Sequence, residues 1–355
     1  MNFLPTIPVT LLGGALADSR DRRAIVAAAQ GAACLASAGL ALATQAGVAT
    51  LPWLLVAALA LAVARSFESP ANMALLPSLV PRESFPGAVV VSATARNLGF
   101  VSGPVAMGLI VDRAGIPAAY AAAAACFGLS VALLALLRPR PAAPTRTGVS
   151  LAAIREGIGF VRSRPVILGS MALDMFAVIF AGSTALLPIF AREVLQVGPR
   201  GYGILAAGLS IGTSLMTAIL LVRRPPARPG RALCLAVAVF GLATIAFGVS
   251  RAFPLSMATL VVAGMADEVS MVARSIIIQL STPDALRGRV SSVNMVFIGA
   301  SNELGAAESG FLAALTSATF SVVFGGFACL GVLAVVAALV PALRHYRVGP
   351  EADAT

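Results

Sequence analysis

The sequence predicts an all-α membrane protein built as two pseudo-repeated helical bundles, and three observations carry that expectation. First, 59% of the 355 residues are hydrophobic and only 11% are charged, against about 25% charged in a soluble domain. One chain cannot hide that much apolar surface from water. Second, all 25 cations are Arg, and they gather between apolar runs. Third, the two halves of the chain overlay on each other. Pro81 meets Pro283, Val91 meets Val293, Gly103 meets Gly305 and Gly108 meets Gly310. The apolar segments and the signs of the loops coincide at the same offset. A net charge of +10 would also suit a nucleic-acid partner, but arginines spaced between greasy segments orient membrane helices instead. No nucleic-acid partner is expected.

A spanning helix takes about 20 apolar residues at about 1.5 Å each. In the first half, runs of this kind occupy residues 24–44, 51–64, 88–111 and 116–137. In the second half they occupy 166–190, 201–222, 232–249, 253–272, 290–315 and 320–343. A short run at 1–17 makes an eleventh, and Met1 opens abruptly inside it. Parallel repeats of six spans are a transporter architecture. Five spans followed by six therefore imply that the helix missing from the chain is the first of the first repeat.

Cytoplasmic loops retain positive charge. If the loop at 18–23 is cytoplasmic and sides alternate from there, nineteen arginines fall inside. Only Arg113, Arg192, Arg200 and Arg251 fall outside, with Arg96 and Arg274 within spans. This topology is that of a multi-pass membrane chain with its arginine-rich loops on the cytoplasmic side. The longest loop starts Pro-rich, as a linker does. It continues as SLAAIREGIGFVRS, with apolar residues at helical spacing and Arg opposite, the pattern of an interfacial helix. The expected organisation is an N-terminal bundle over 1–137, a cytoplasmic linker with an amphipathic helix over 138–165, a six-helix bundle over 166–343 and a cytoplasmic tail over 344–355.

Catalytic and metal chemistry find little support. Cys34, Cys126, Cys234 and Cys329 are scattered through apolar runs without ligand spacing, and the single His345 lies near the chain end. No Cys/His or Ser/His/Asp cluster exists to activate a nucleophile, so neither an enzyme nor a metal or cofactor is expected. Residues 1–12 lack the basic flank of a cleavable signal peptide.

Two motifs say more. GALADSRDRR (14–23) crowds charge between apolar runs, and Gly14, Leu16, Asp18, Arg22 and Arg23 resemble the loop between the second and third helices of the major facilitator superfamily. Ser19 and Asp21 depart from that pattern, standing where Arg and Gly are usual. The resemblance implies a cytoplasmic latch between bundles, with Asp18 held at a helix N-terminus and Glu68 as an acid for the loop cations. RNLGFVSGPVAMG (96–108) resembles the antiporter signature on the fifth helix of facilitator exporters through Gly99, Gly103, Pro104 and Gly108, with Met107 replacing one Gly. Gly99 and Gly103 offer a smooth stripe for close helix approach, and Pro104 bends the helix. SFESPANMALLPSLVPRES (66–84), with Pro70, Leu76, Pro77, Pro81 and Arg82, is similar to the enterobactin-exporter and macrolide-efflux branch of this family.

The resemblance implies a monomeric exporter that exchanges protons for a small molecule, without ATP. It also implies a central cavity lined by spans 51–64, 166–190 and 253–272, where Met175, Phe176, Phe180 and Met271 would supply adaptable apolar contacts. Charge inside a span is costly and marks function. Such residues are Arg96, Asp174, Asp267, Glu268, Arg274, Glu303 and Glu308. Glu303, Asp174 and Asp267 are the proton-coupling candidates. Glu303 leads because it lies deep in its span with no cation at i±3 or i±4. Asp267 and Arg274 share a helix face seven residues apart. The function expected is secondary active efflux of an amphipathic molecule, drug or siderophore; the alternative is a non-transporting relic or scaffold of the same fold.

Overall fold

A computed structural model describes residues 22–80, 84–137, 151–223, 226 and 228–347. The expected span over 1–17 lies outside these residues. The described residues form helices joined by short turns, and two compact units emerge. One comprises Met1–Gly99 and Leu109–Val149, the other Phe100–Gly108 and Ser150–Thr355.

The first unit contains α1 (Arg22–Gln45), α2 (Leu51–Leu79) and most of α3 (Phe85–Leu136). α1 ends in a turn through Gly47 at φ 70, and Pro52 occupies the first turn of α2, where its missing N–H costs nothing. α3 is longer than either span expected there because the two meet end to end at Gly115. That residue adopts φ 81, ψ 175, a conformation essentially restricted to glycine. Ile25, Val26, Ala71, Leu75 and Leu134 form the unit's core. Polar contacts tie it together: the Gln30 amide donates to Glu68 Oε1 at 2.9 Å, and the Cys34 thiol donates to the Ala124 carbonyl at 3.2 Å.

The second unit contains α4 (Leu151–Ser163), α5 (Pro165–Ala181), α6 (Gly198–Val222), α7 (Pro229–Val249), α8 (Phe253–Leu280), α9 (Asp284–Leu315), α10 (Ala318–Leu339) and α11 (Pro341–His345). α8 packs between α6 and α7, α10 packs on α7 and α5, and α9 packs on α5 and α4. One core gathers Leu173, Leu233, Val237, Ile277, Cys329 and Leu343. Another gathers Phe190, Leu205, Phe247, Leu260 and Val322, with the Phe190 and Phe247 rings 4.7 Å apart. The α6–α8 crossing is close enough that backbones touch. A Cβ on Gly212 would fall on the Val261 carbonyl oxygen, and one on Gly264 would fall on that of Leu209. The segment after α10 is also anchored: Leu343 is fully buried, its carbonyl sits against Gly230, and Ser281 Oγ donates to the Tyr346 hydroxyl at 2.9 Å.

Among the described residues, seven helical stretches are long and apolar enough to cross a membrane: Arg23–Gln45, Leu51–Glu68, Val91–Leu136, Pro165–Val194, Gly198–Val222, Pro229–Val249 and Ala318–Leu339. Val91–Leu136 unites two expected spans. The expected spans at 253–272 and 290–315 are helices too, within α8 and α9, but α8 carries Asp267, Glu268 and Arg274, and α9 carries Glu303 and Glu308. The expected span over 166–190 lies within Pro165–Val194, but the α-helix is interrupted inside it. α5 stops at Ala181, Gly182 turns at ψ 67, and a 3₁₀ turn over Ser183–Leu186 leads into a π turn over Phe190–Val194. Pro188 has no N–H to offer an α-helical ladder and crowds the carbonyl four residues back, which adds to the cost of a regular helix here.

Of the linker segment, Leu151–Ser163 is helical. α4 docks on α9 through Val161, which is buried with Ile167, Val290 and Val293. Gly157 lies against the Arg289 backbone, its hypothetical Cβ 3.0 Å from that carbonyl oxygen. Glu156 pairs with Arg289 across the junction, while Arg155 and Arg162 face outward.

Candidate functional site

The charged residues inside the second unit sort themselves between two neighbours of α8. Asp174 on α5 and Arg274 on α8 form an ion pair with both side chains buried. Glu268 points the other way and accepts a hydrogen bond from the Thr217 hydroxyl of α6 at 3.0 Å. The sequence placed Asp267 and Arg274 on one helix face, but Arg274 spends its charge on Asp174. Asp267 faces a cavity instead, seven residues or about 10 Å further along α8.

That cavity measures about 90 Å³, and its wall comes from α5, α6, α7, α8 and α9. Most of the wall is apolar, with Val178, Ala181, Phe240, Phe247 and Leu260 among it. The polar part is Asp267, Thr184, Thr244, Thr259 and Asn302. Three of these donate to carbonyls of their own helices. Thr244 Oγ1 donates to the Phe240 carbonyl at 2.9 Å, and Thr259 Oγ1 donates to that of Ser256 at 2.8 Å. Asn302 Nδ2 donates to the Ile298 carbonyl at 2.9 Å. Gly182 and Ala181, at the broken end of α5, complete the wall. No residue of this set stood out in the sequence except Asp267. A hydroxyl in mid-span reads as a helix satisfying itself, and nothing along the chain shows which helices will share a void.

The other expected site residues are placed as follows. Glu303 is exposed on α9, beside Asn302. Of the latch motif, Gly14, Leu16 and Asp18 lie outside the described residues. Arg22 begins α1, and Arg23 donates to the Ala135 carbonyl near the end of α3 at 2.8 Å. Glu68 receives the Gln30 amide. In the antiporter motif, Gly99 and Gly103 face open space, whereas the backbones of Pro104 and Gly108 lie against Gly203. A Cβ on Gly108 would lie 2.7 Å from the Pro199 carbonyl oxygen and 3.0 Å from Gly203 Cα on α6. The smooth stripe expected at Gly99 and Gly103 is thus used one turn later. Phe176 and Phe180 stack at 6.4 Å, and Phe176 and Met271 are both exposed. Among the described residues no cluster of three or more His, Cys, Asp or Glu is disposed to hold a metal.

Comparison with known proteins decides the family. The family model of the Major Facilitator Superfamily matches residues 1–305. The chain belongs to the major facilitator superfamily. It is 25% identical over 340 residues to the enterobactin exporter EntS of Escherichia coli (strain K12), an alignment that covers 96% of this chain and 82% of the relative. The same figures hold for EntS of Shigella dysenteriae serotype 1 (strain Sd197). Among solved structures, a bacterial homolog of the human lysosomal transporter Spinster, inward-facing and unoccupied, matches with a TM-score of 0.66 at 18% identity, over 98% of this chain and 88% of that one. A POT family transporter in complex with 5-aminolevulinic acid matches with a TM-score of 0.71 at 13% identity, over 95% and 86% of the two chains. At such identities the structural likeness speaks for the fold. The protein is therefore a multi-pass membrane transporter of the major facilitator superfamily and not an enzyme.

Proposed function

We infer that this facilitator is a secondary active exporter of the bacterial inner membrane, moving an amphipathic small molecule outward in exchange for protons. The observation that carries the reading is the similarity to enterobactin exporters along nearly the whole chain; it makes a siderophore-like or drug-like cargo the first class to test. Alternating access in facilitators rocks one bundle against the other around a midplane site. Exposed Phe176 and Met271, with Phe180 stacked behind, offer apolar surface to such a cargo. Glu303 serves as the proton carrier: it is a carboxyl inside a span, it is accessible, and its own helix brings no cation near it. Asp174 and Asp267 are the other carboxyls of the set, the first already held by Arg274. Asp18, Arg22 and Arg23, with Gly14 and Leu16 shaping the loop and Glu68 as acid, form the cytoplasmic latch. Gly99, Gly103, Pro104 and Gly108 form the antiporter segment, and the protein works as a monomer.

The test is transport in inverted vesicles across a panel of siderophores and amphipathic drugs, with an imposed proton gradient and a pH-sensitive dye. A transported compound should release protons from the lumen in step with its uptake. Asp18→Asn and Glu303→Gln should each abolish that coupled movement. Undiminished proton-coupled uptake in both variants overturns the proton-exchange mechanism.

A further inference from the structure

We propose that the cavity at the broken end of α5 binds a small monovalent metal cation, sodium, held by the Asp267 carboxylate with oxygens of Thr244, Thr259 and Asn302. This site is separate from the exposed Glu303 and stands whether or not Glu303 carries a proton. The argument begins with donors and acceptors. An ionised carboxylate only accepts. The Thr244 and Thr259 hydroxyl hydrogens and one Asn302 amide hydrogen are bonded to carbonyls of their own helices, so the two hydroxyl oxygens and Asn302 Oδ1 have lone pairs to offer the cavity. The cavity therefore presents the Asp267 carboxylate and three neutral oxygens as acceptors, and the donors left in its wall are the Thr184 hydroxyl and the second Asn302 N–H.

Charge points the same way. Among the described residues lining the cavity there is no Arg or His, and the nearest cation along α8, Arg274, is paired with Asp174. Glu268, next to Asp267 in sequence, is turned toward Thr217 on α6 and brings no positive charge. A carboxylate in a low-dielectric wall without a counter-charge is costly, and a bound cation removes that cost. The backbone adds to the pull. α5 ends at the cavity, where Val178, Ala181 and Gly182 line the wall. A helix C-terminus carries roughly half a negative charge, and interrupted helices of this kind are where transporters coordinate Na⁺.

Size and charge select the ion. A volume of about 90 Å³ leaves room for a small ion with several waters, since one water needs only about 10–15 Å³ of such space. One carboxylate with neutral oxygens balances a single positive charge. A calcium ion takes roughly 6–8 oxygens, several of them from carboxylates, and the cavity has one carboxylate.

The experiment uses the full chain purified in detergent, with binding of radioactive sodium and thermal unfolding measured at fixed pH. NaCl, KCl and choline chloride are compared at equal ionic strength. The expected result is saturable sodium binding and an unfolding midpoint that rises with NaCl beyond its value in choline. Asp267→Asn should abolish both. Thr244→Val, which keeps the side-chain shape, should weaken sodium binding about tenfold by removing one oxygen ligand; it carries the test if Asp267→Asn does not fold. Glu303→Gln should leave sodium binding unchanged, which separates this site from the proton carrier. Equal midpoints in sodium and choline overturn the proposal, as does full binding in Thr244→Val. A response to potassium with none to sodium overturns the choice of ion. Stabilisation by acidification alone, with no response to either metal, assigns Asp267 to a proton instead.

Discussion

Asp174 and Arg274 illustrate how one pair of residues can be indispensable as a pair and ruinous singly. Both side chains are buried, and Arg274 Nε has no hydrogen-bond partner, so the guanidinium depends on the one carboxylate. Removing that carboxylate leaves an uncompensated buried cation, which costs about 3–5 kcal/mol. Asp174→Asn should therefore lower the unfolding midpoint of the detergent-purified protein markedly. The double variant Asp174→Leu with Arg274→Met should recover most of the loss, since an apolar pair of similar volume replaces a desolvated ionic one. A double variant as unstable as Asp174→Asn would show that the pair's geometry, and not its charge balance, holds α5 to α8.

At the scale of elements, glycines divide into those that make a crossing and those that merely occupy a helix. Gly212 and Gly264 bring the α6 and α8 backbones together, each against a carbonyl of the partner helix. Gly39 in α1 has nothing within 4 Å of a hypothetical Cβ. Gly212→Ala forces the crossing apart, an overpacking that costs about 1–3 kcal/mol. Gly39→Ala should instead be neutral or stabilise by about 0.5–1 kcal/mol, through lower backbone entropy in the unfolded chain. Parallel thermal melts of the two variants check the contrast.

Hydropathy located the long helices well, because burial in lipid demands continuous apolar runs. It also ended one span at residue 111 and began the next at 116, and the structure puts the turn at Gly115 in that gap. The interruption of α5 escaped it, since Gly182, Ser183 and Pro188 sit inside a run that stays apolar on average. The in-span acids were legible singly, but their partners were not. Asp174 meets Arg274 across 100 positions of sequence, and Thr244, Thr259 and Asn302 share a cavity wall with Asp267 only when α7, α8 and α9 are packed. Glu303 stood out in the sequence because its own helix holds no nearby cation, a criterion blind to every other helix.

For the whole molecule the organising expectation is the arginine asymmetry, which fixes the side of each loop through the cost of moving guanidinium groups across lipid. In a background with Cys34, Cys126, Cys234 and Cys329 replaced, a single cysteine at Thr145 should resist a membrane-impermeant thiol reagent in intact cells and react once the membrane is opened. A single cysteine at Arg192, exposed in the turn before α6, should react in intact cells. The reverse pattern would invert the topology and with it the direction of transport.

The tail of the second unit bears on how the protein can be handled. Leu343 plugs a core of large side chains, Gly230 is shaped to receive its carbonyl, and Tyr346 is tethered by Ser281. These last residues act as a stopper for the bundle. Reporter fusions and affinity handles therefore belong beyond Arg347, and a cut placed at the end of α10 would uncork the bundle instead of trimming a loose thread.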